Sequence, residues 1–481
     1  MRADRTLRRV AVIAAMILGV SAAPSAGQTL ADALVYTYKS NPRLISSRAQ
    51  LRQADERVAQ AQSELLPDLT GSLTGTLNNE APGGFDPGNA DERGTLSGDA
   101  RITGTVTLWS GGRNPARIQA AVASVMAARA RLRATEQDVL LDAVTAYMDV
   151  RRDMQFVALA RNNVRVIGEQ LRATRDRFEV GEVTRTDVSQ AEAALAAARA
   201  NLARNTGALA QSRAQFLAVT GLKAANLSPP PPIPALPRTL AEAEALGRRE
   251  HPALEASRYN EKAASYEVEL ARAGLNPLLT LTGSVFYQRT DTLYRNSDTR
   301  FGARDNATND LFGSEIQLQL QVPLYRGGEL DSIVRQAREI VNQRKAETQD
   351  TARSVVRAVQ NAWSGLRVAR ASIVANTEQV RAQRVAFEGV VEEAKFGERT
   401  TLDVLDAEQA LLTARSNLVS SQRDAYVAAY NLLSAMGLLN VTHLGLGVDP
   451  YDPNEYHEYV RHNPPNPDGL RLERILDRWG G

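Results

Sequence analysis

The chain has 481 residues, 43% of them hydrophobic and 23% charged, which is ample material for a core and excludes disorder by composition. Its formal net charge of +2 leaves no electrostatic footprint for nucleic acid, so no nucleic-acid partner is expected. The absence of cysteine excludes a disulfide framework, thiolate metal sites, cysteine catalysis and a lipid-anchored N-terminal cysteine.

Arg2, Arg5, Arg8 and Arg9 precede the apolar run Val10–Val20, and the small residues SAAPSAG follow. That order reads as a secretory signal peptide over residues 1–27. The apolar run of about 11 residues is too short to span a bilayer as a helix. No later stretch supplies about 18 consecutive apolar residues, so a mature chain that crosses a membrane must do so with strands.

Next, TLADALVYTYKSNPRL (29–44) opens a helical stretch with Thr29 as its cap and a kink at Pro42, ending at Pro67. TLAEAEALGRREHPAL (239–254), ending at Pro277, repeats it 210 residues later.

Each copy is followed by a predicted β-hairpin, over 67–109 and 277–325. Leu69, Leu73 and Leu77 alternate with Thr and Ser, Ile102, Val106 and Leu108 with Thr, and Ile316, Leu318 and Leu320 with Gln. Strands of roughly 10 residues with one apolar and one polar face are the signature of a membrane β-barrel, lipid outside and water inside. A soluble hairpin with one face on a core gives the same alternation. Secretion, the wholly polar second face and the long helices at both ends favour the barrel. Four strands cannot close around a lumen, so several chains would have to share one barrel.

Gly111-Gly112 and Gly327-Gly328 end the hairpins, now 216 residues apart. The six additional residues of the second copy belong in a hairpin tip, where insertions are tolerated. A long helix follows each hairpin. Val150, Val157, Val164, Leu171 and Phe178 recur every seven residues, as do Val359, Leu366, Ile373, Val380 and Phe387. This spacing predicts helices coiled around neighbours. From Gly111 to Glu179 the first is about 69 residues, or roughly 100 Å.

The most telling phrase comes next. GEVTRTDVSQAEAAL (181–195) returns as GERTTLDVLDAEQALL (397–412). A glycine ends the long helix, and a shorter helix starts behind Asp187 or Asp403, with Thr401 and Asp403 as expected caps. The shorter helices, roughly 187–220 and 403–436, present many alanines for close packing and stop near Gly221 and Gly437. The helix before each hairpin plus the shorter helix after each turn together equal one long helix, which would give a rod about 100 Å tall.

The chain thus divides into a first repeat (28–227), a proline-rich linker (228–238), a second repeat (239–440) and a tail (441–481) without a clear period, expected to lie on the surface or be partly disordered.

With these features in this order, the sequence resembles the TolC family of outer-membrane efflux and secretion channels. The resemblance rests on the two-fold repeat, on LWSGG (108–112) and LYRGG (324–328), and above all on the 397–412 phrase. It covers nearly all of the mature chain. It implies a mainly α fold with a membrane β-barrel portion: a homotrimer whose coiled-coil helices form a periplasmic tunnel and whose four strands per chain build one barrel in outer-membrane lipid.

It also implies roles at the helix tips. Asp403 and Asp406, three apart on one helix face, would form acidic rings at a periplasmic constriction. In isolation the same pair reads as an N-cap and a solvated helix residue. Arg399 would pair with Asp187 of the other hairpin and hold the entrance shut. Gly181, Glu182, Val183, Thr184, Gly397 and Glu398 would contact a periplasmic adaptor (a membrane fusion protein), which joins the duct to an inner-membrane RND or ABC transporter. Ala394 stands where the family often carries an aromatic.

No P-loop, dinucleotide glycine pattern or metal-ligand histidine spacing occurs, so neither catalysis nor a cofactor nor a metal is expected. The expected function is a passive outer-membrane exit duct of a tripartite efflux pump or a type I secretion system. The alternative is a secreted periplasmic coiled-coil scaffold without a pore.

Overall fold

The computed structural model describes residues 28–80, 92–295 and 307–462; the signal segment, the two hairpin tips and the end of the tail lie outside the described residues. In chain order the elements are α1 (Leu30–Ser40), α2 (Pro42–Ser63), β1 (Asp68–Glu80), β2 (Glu92–Trp109), α3 (Arg113–Glu179) and α4 (Arg185–Thr220). Then come α5 (Leu240–Glu250), α6 (Pro252–Ala273), β3 (Leu278–Arg295), β4 (Ala307–Gln321), α7 (Glu329–Lys395), α8 (Thr401–Ala435) and α9 (Pro453–His462). α3 and α7 each have 67 residues, about 100 Å of helix. The break between α1 and α2 falls at Asn41, before Pro42.

The described residues form two compact units. One combines the segment up to Ser47 with Arg133–His251 and Ser354–Pro450. Its core holds Leu30, Leu34, Leu140, Tyr147, Phe216 and Met436, all essentially solvent-free. Tyr147 and Phe216 meet edge to face at 6.2 Å. The Tyr147 hydroxyl lies 2.9 Å from the Gln28 carbonyl and 2.7 Å from the Ser228 carbonyl, which pins the start of the linker to the start of α1. Gly437, at φ +82°, turns the chain where a Cβ would fall 2.6 Å from the Glu250 carbonyl oxygen.

The other unit combines Arg48–Leu132, Pro252–Arg353 and the chain from Tyr451. It carries one antiparallel sheet in the order β1-β2-β3-β4. The register places Leu69, Leu73, Ile102, Val285, Ile316 and Leu318 on one face. On the other lie Thr70, Ser72, Thr103, Thr105, Thr282 and Gln317. The apolar face is open: Leu73 is 86% exposed and Ile316 83%. A register shift between Thr107 and Trp109 sets Trp109 opposite Leu279, so a bulge turns this aromatic onto the apolar face. Both outer margins, β1 and β4, lack a further strand among the described residues. Among the described residues, no helix is long and apolar enough to cross a membrane.

Two differences from the sequence expectation have plain causes. β4 ends at Gln321 rather than Tyr325, because Pro323 has no N–H for the ladder. The tail includes a helix, α9, tied by polar bonds to α2 and α3. Tyr456 donates to Glu56 at 2.6 Å, His457 Nδ1 lies 3.1 Å from Asp55, and Arg129 donates to Asn454 at 2.7 Å.

Candidate functional site

The two helix–turn–helix tips belong to the first unit and are built alike. Each long helix ends on a glycine in the left-handed region, Gly181 at φ +83° and Gly397 at φ +78°. The Glu182 N–H returns to the Arg177 carbonyl (2.9 Å) and the Glu398 N–H to the Glu393 carbonyl (3.1 Å), which satisfies helix-end acceptors across the turn. A Cβ added at either glycine would meet nothing within 4 Å, so backbone conformation rather than crowding selects them.

Each shorter helix then opens with a threonine–aspartate capping box. Thr184 is the N-cap of α4: its hydroxyl and N–H donate to Asp187 Oδ2 at 2.7 and 2.8 Å, and its Oγ1 accepts from the Asp187 N–H at 3.4 Å. Thr400 repeats this with Asp403 at 2.8, 2.9 and 3.2 Å. The N-cap is therefore Thr400, one residue before the expected Thr401, and Asp403 is its reciprocal partner at the third helical position. The bonds from Thr184 hold the Asp187 carboxyl below the usual carboxylate range. Those from the Thr400 N–H and hydroxyl do the same for Asp403, with Arg399 adding to the effect.

The remaining expected site residues fall around these boxes. Asp406 is exposed, one turn beyond Asp403. Gly181, Glu182, Thr184, Gly397 and Glu398 are exposed and Val183 is half-buried. The expected pair Asp187–Arg399 is not made within the chain. Arg399 Nε donates to Glu393 Oε2 at 2.8 Å, and among the described residues Asp187 has no ion pair, its carboxylate accepting from Thr184.

Sequence reasoning missed two features here. Arg177, in the last turn of α3, donates to the Ala394 carbonyl at 3.2 Å and so joins the two tips. Glu408, on α8, is only 5% exposed, and burial pushes its carboxyl up against the opposing pull of Arg415 and Arg165. The first is a side-chain bond to a backbone carbonyl, which any residue at 394 would offer, so it has no signature at that position. The second was hinted at by Glu408 standing four residues after the buried Val404 and three before Leu411 on one helix face. Ile167, Ala198 and Leu405 form the small core that holds α3, α4 and α8 together near the tips, with Val164, Ala194 and Leu195 against it.

Comparison with known proteins agrees with this architecture. The sequence profile described as "Outer membrane efflux protein" matches residues 35–222 and 244–438, most of the chain. The chain is 36% identical over 440 residues to the outer membrane efflux protein BepC of Brucella suis, covering 90% of this chain and 91% of that protein. It is 27% identical over 440 residues to the outer membrane protein TolC of Escherichia coli, covering 88% and 86%. The crystal structure of the Campylobacter jejuni CmeC outer membrane channel shares the fold at a TM-score of 0.72 and 16% identity, over 90% of this chain and 89% of that one.

Proposed function

The chain belongs to the outer membrane efflux protein family, and from that membership we propose that it forms the exit duct through which an envelope-spanning efflux pump or type I secretion system empties. It resides in the outer membrane with its helices in the periplasm. The observation that carries the reading is the four-stranded sheet, whose apolar face is open at Leu73 and Ile316, whose opposite face is mostly polar, and whose margins carry no further strand among the described residues. A sheet of this kind is at rest only when lipid covers the apolar side and further strands occupy the margins. Three copies would supply about twelve strands, sufficient for a barrel with a water-filled lumen. Trp109, turned by its bulge onto the lipid side, suits the interfacial level where aromatic rings anchor barrels.

The periplasmic end is the regulated one in this proposal. The tip residues Gly181, Glu182, Val183, Thr184, Gly397 and Glu398 offer the adaptor an exposed surface, flanked by the bare apolar side chain of Phe396, 82% exposed. The inner-membrane transporter supplies the energy, since no engine is encoded here. Asp403 and Asp406 form the acidic constriction. Asp403 already serves its cap, so Asp406 is the carboxylate with the greater freedom to meet a passing cation. Arg399, exposed beside Glu393, supplies the cation of a gate pair to Asp187 in the assembled ring. Such exposed pairs are worth about 0–1 kcal/mol each, so the closed state depends on several acting with packing. The assignment of residues 1–27 to a signal, 228–238 to a linker and the rest to two repeats and a tail belongs to the same proposal.

Reconstitution in a planar bilayer tests it. Purified protein should give a cation-favouring conductance, and Asp403→Ala with Asp406→Ala should reduce that preference. A protein that stays soluble without detergent and never conducts would instead be the periplasmic scaffold. A conductance indifferent to both substitutions would remove the constriction from Asp403 and Asp406.

A further inference from the structure

Within the unit that carries the sheet, α9 rests on two other helices. Arg129 of α3 donates to the Asn454 side chain at 2.7 Å and to the Pro453 carbonyl at 3.3 Å. The Tyr456 hydroxyl donates to Glu56 of α2 at 2.6 Å. His457 Nδ1 lies 3.1 Å from Asp55 Oδ1, also on α2. Asp55 is only 1% exposed, whereas the imidazole keeps 26% of its side-chain surface, so solvent protons reach the histidine and not the carboxylate. Asp55 Oδ2 and Arg129 Nε are both buried without a hydrogen-bond partner. A buried carboxylate with one oxygen unbonded depends on the charge beside it. Burial pushes the Asp55 carboxyl up, against the bond and charge of His457 and the charge of Arg129, and Glu56 adds to the rise. Just before α9, the Arg48 guanidinium of α2 lies 5.3 Å from the centre of the Tyr451 ring.

We propose that α9 is a proton-operated clasp: protonated His457 pairs with Asp55 and closes the tail helix on α2 and α3, and loss of that proton loosens it. Imidazoles change charge between about pH 5 and pH 8. A protonated ring meets the carboxylate as an ion pair, whereas a neutral ring leaves the buried charge with weaker compensation. Docking therefore takes up a proton. The rise at Asp55 acts in the same sense, because a group raised in the folded state stabilises fully below its unfolded value and loses that stabilisation as pH rises through the folded one. Both contributions make the clasp tighter in acid and looser in alkali. One helix thus braces α2 to α3, and proton binding at His457 sets how firmly. The inference is independent of the duct reading, because the state of the tail is measurable whether or not the protein conducts.

The test is hydrogen exchange of the intact detergent-purified protein between about pH 5.5 and pH 8, corrected for intrinsic rates. Protection of α9 should fall on the order of 10-fold as pH rises across that range, while β3, in the same unit, stays level. His457→Gln keeps a polar side chain that cannot change charge, and its α9 should show the parent's alkaline level of protection at every pH. Asp55→Asn removes the other partner and should also flatten the slope. Level protection of α9 in the parent, or protection that increases with pH, overturns the proposal. So does a slope that survives in both variants, which would place the titrating group elsewhere. The parent measurement needs no variant, so it decides even if Asp55→Asn fails to fold. Conductance without this slope would sink the clasp alone, and the slope without conductance would sink the duct alone.

Discussion

Arg177 Nη1 donates to the carbonyl oxygen of Ala394 at 3.2 Å, and this one bond links the last turn of α3 to the last turn of α7. A guanidinium suits a helix C-terminus, where carbonyls lack partners and the helix dipole is negative. Position 394 has no side chain able to reach across, so here the connection between tips runs through the backbone. Arg177→Met should leave the fold intact and raise passive conductance of the reconstituted channel a few-fold, with a parallel gain in cell sensitivity to a bulky antibiotic. Arg177→Lys, which keeps a charged donor, should recover part of the effect. Unchanged conductance in Arg177→Met would show that the tips are held elsewhere.

The capping boxes make a second, local prediction. Thr400→Ala removes the hydroxyl at the start of α8 and should cost about 1 kcal/mol there, with Thr184→Ala equivalent at α4. Hydrogen exchange in the first turn of each helix measures it. The pH dependence has a fixed sign. Both Asp403 and Asp187 are held below their ordinary value, so their stabilisation is complete above about pH 4 and is lost as pH falls through the depressed folded value. Protection of these turns, corrected for intrinsic exchange, should hold level from pH 6 to about pH 4 and decline below that, and Asp403→Asn should flatten that decline at α8 only.

The glycines separate conformational from steric cost. Gly397→Ala meets open space and should lose about 1–2 kcal/mol for its left-handed backbone alone. Gly437→Ala adds a collision with the Glu250 carbonyl, 2.6 Å from the new Cβ, and should lose clearly more. Thermal unfolding of both variants decides it; equal midpoints would mean the chain around residue 437 can move aside.

Glu408 should make the tips sensitive to alkali. Burial raises its carboxyl, so the folded state holds that proton more tightly than the unfolded chain does. Stability linked to Glu408 is therefore full below its unfolded value and is lost as pH rises through the folded one. Arg165 and Arg415 temper the effect without cancelling it. Glu408→Gln should be more stable than the parent at pH 8 and no more stable at pH 4. A parent whose melting temperature is level between those values would show that the carboxylate is solvated when ionised.

Most of the architecture was legible because it is written in periods. Alternation of two marked the strands, and Pro42 and Gly397 marked where helices had to stop. The heptad of Val150, Val157, Val164, Leu171 and Phe178 announced a packed seam; Val150, Val157 and Leu171 are buried and Val164 half-buried, while Phe178, in the last turn, is 44% exposed. What the sequence concealed were choices made by single contacts. The pattern Thr-x-x-Asp at 400–403 and at 184–187 spells a capping box and favours Thr400 over Thr401, whose third helical position would be Val404; composition alone does not separate the two threonines. The bulge that turns Trp109 depends on its pairing with β3, which no local pattern encodes. Neither the Arg177 tie nor the polar docking of α9 repeats with any spacing, so periodicity had nothing to detect.

The bare borders of the four-stranded ribbon bear on biogenesis. A newly exported copy carries two long templates for stray hydrogen bonding and a greasy flank with no bilayer yet against it. Escort and insertion must therefore keep pace with synthesis, and surplus copies become clients of envelope proteases instead of a standing reserve.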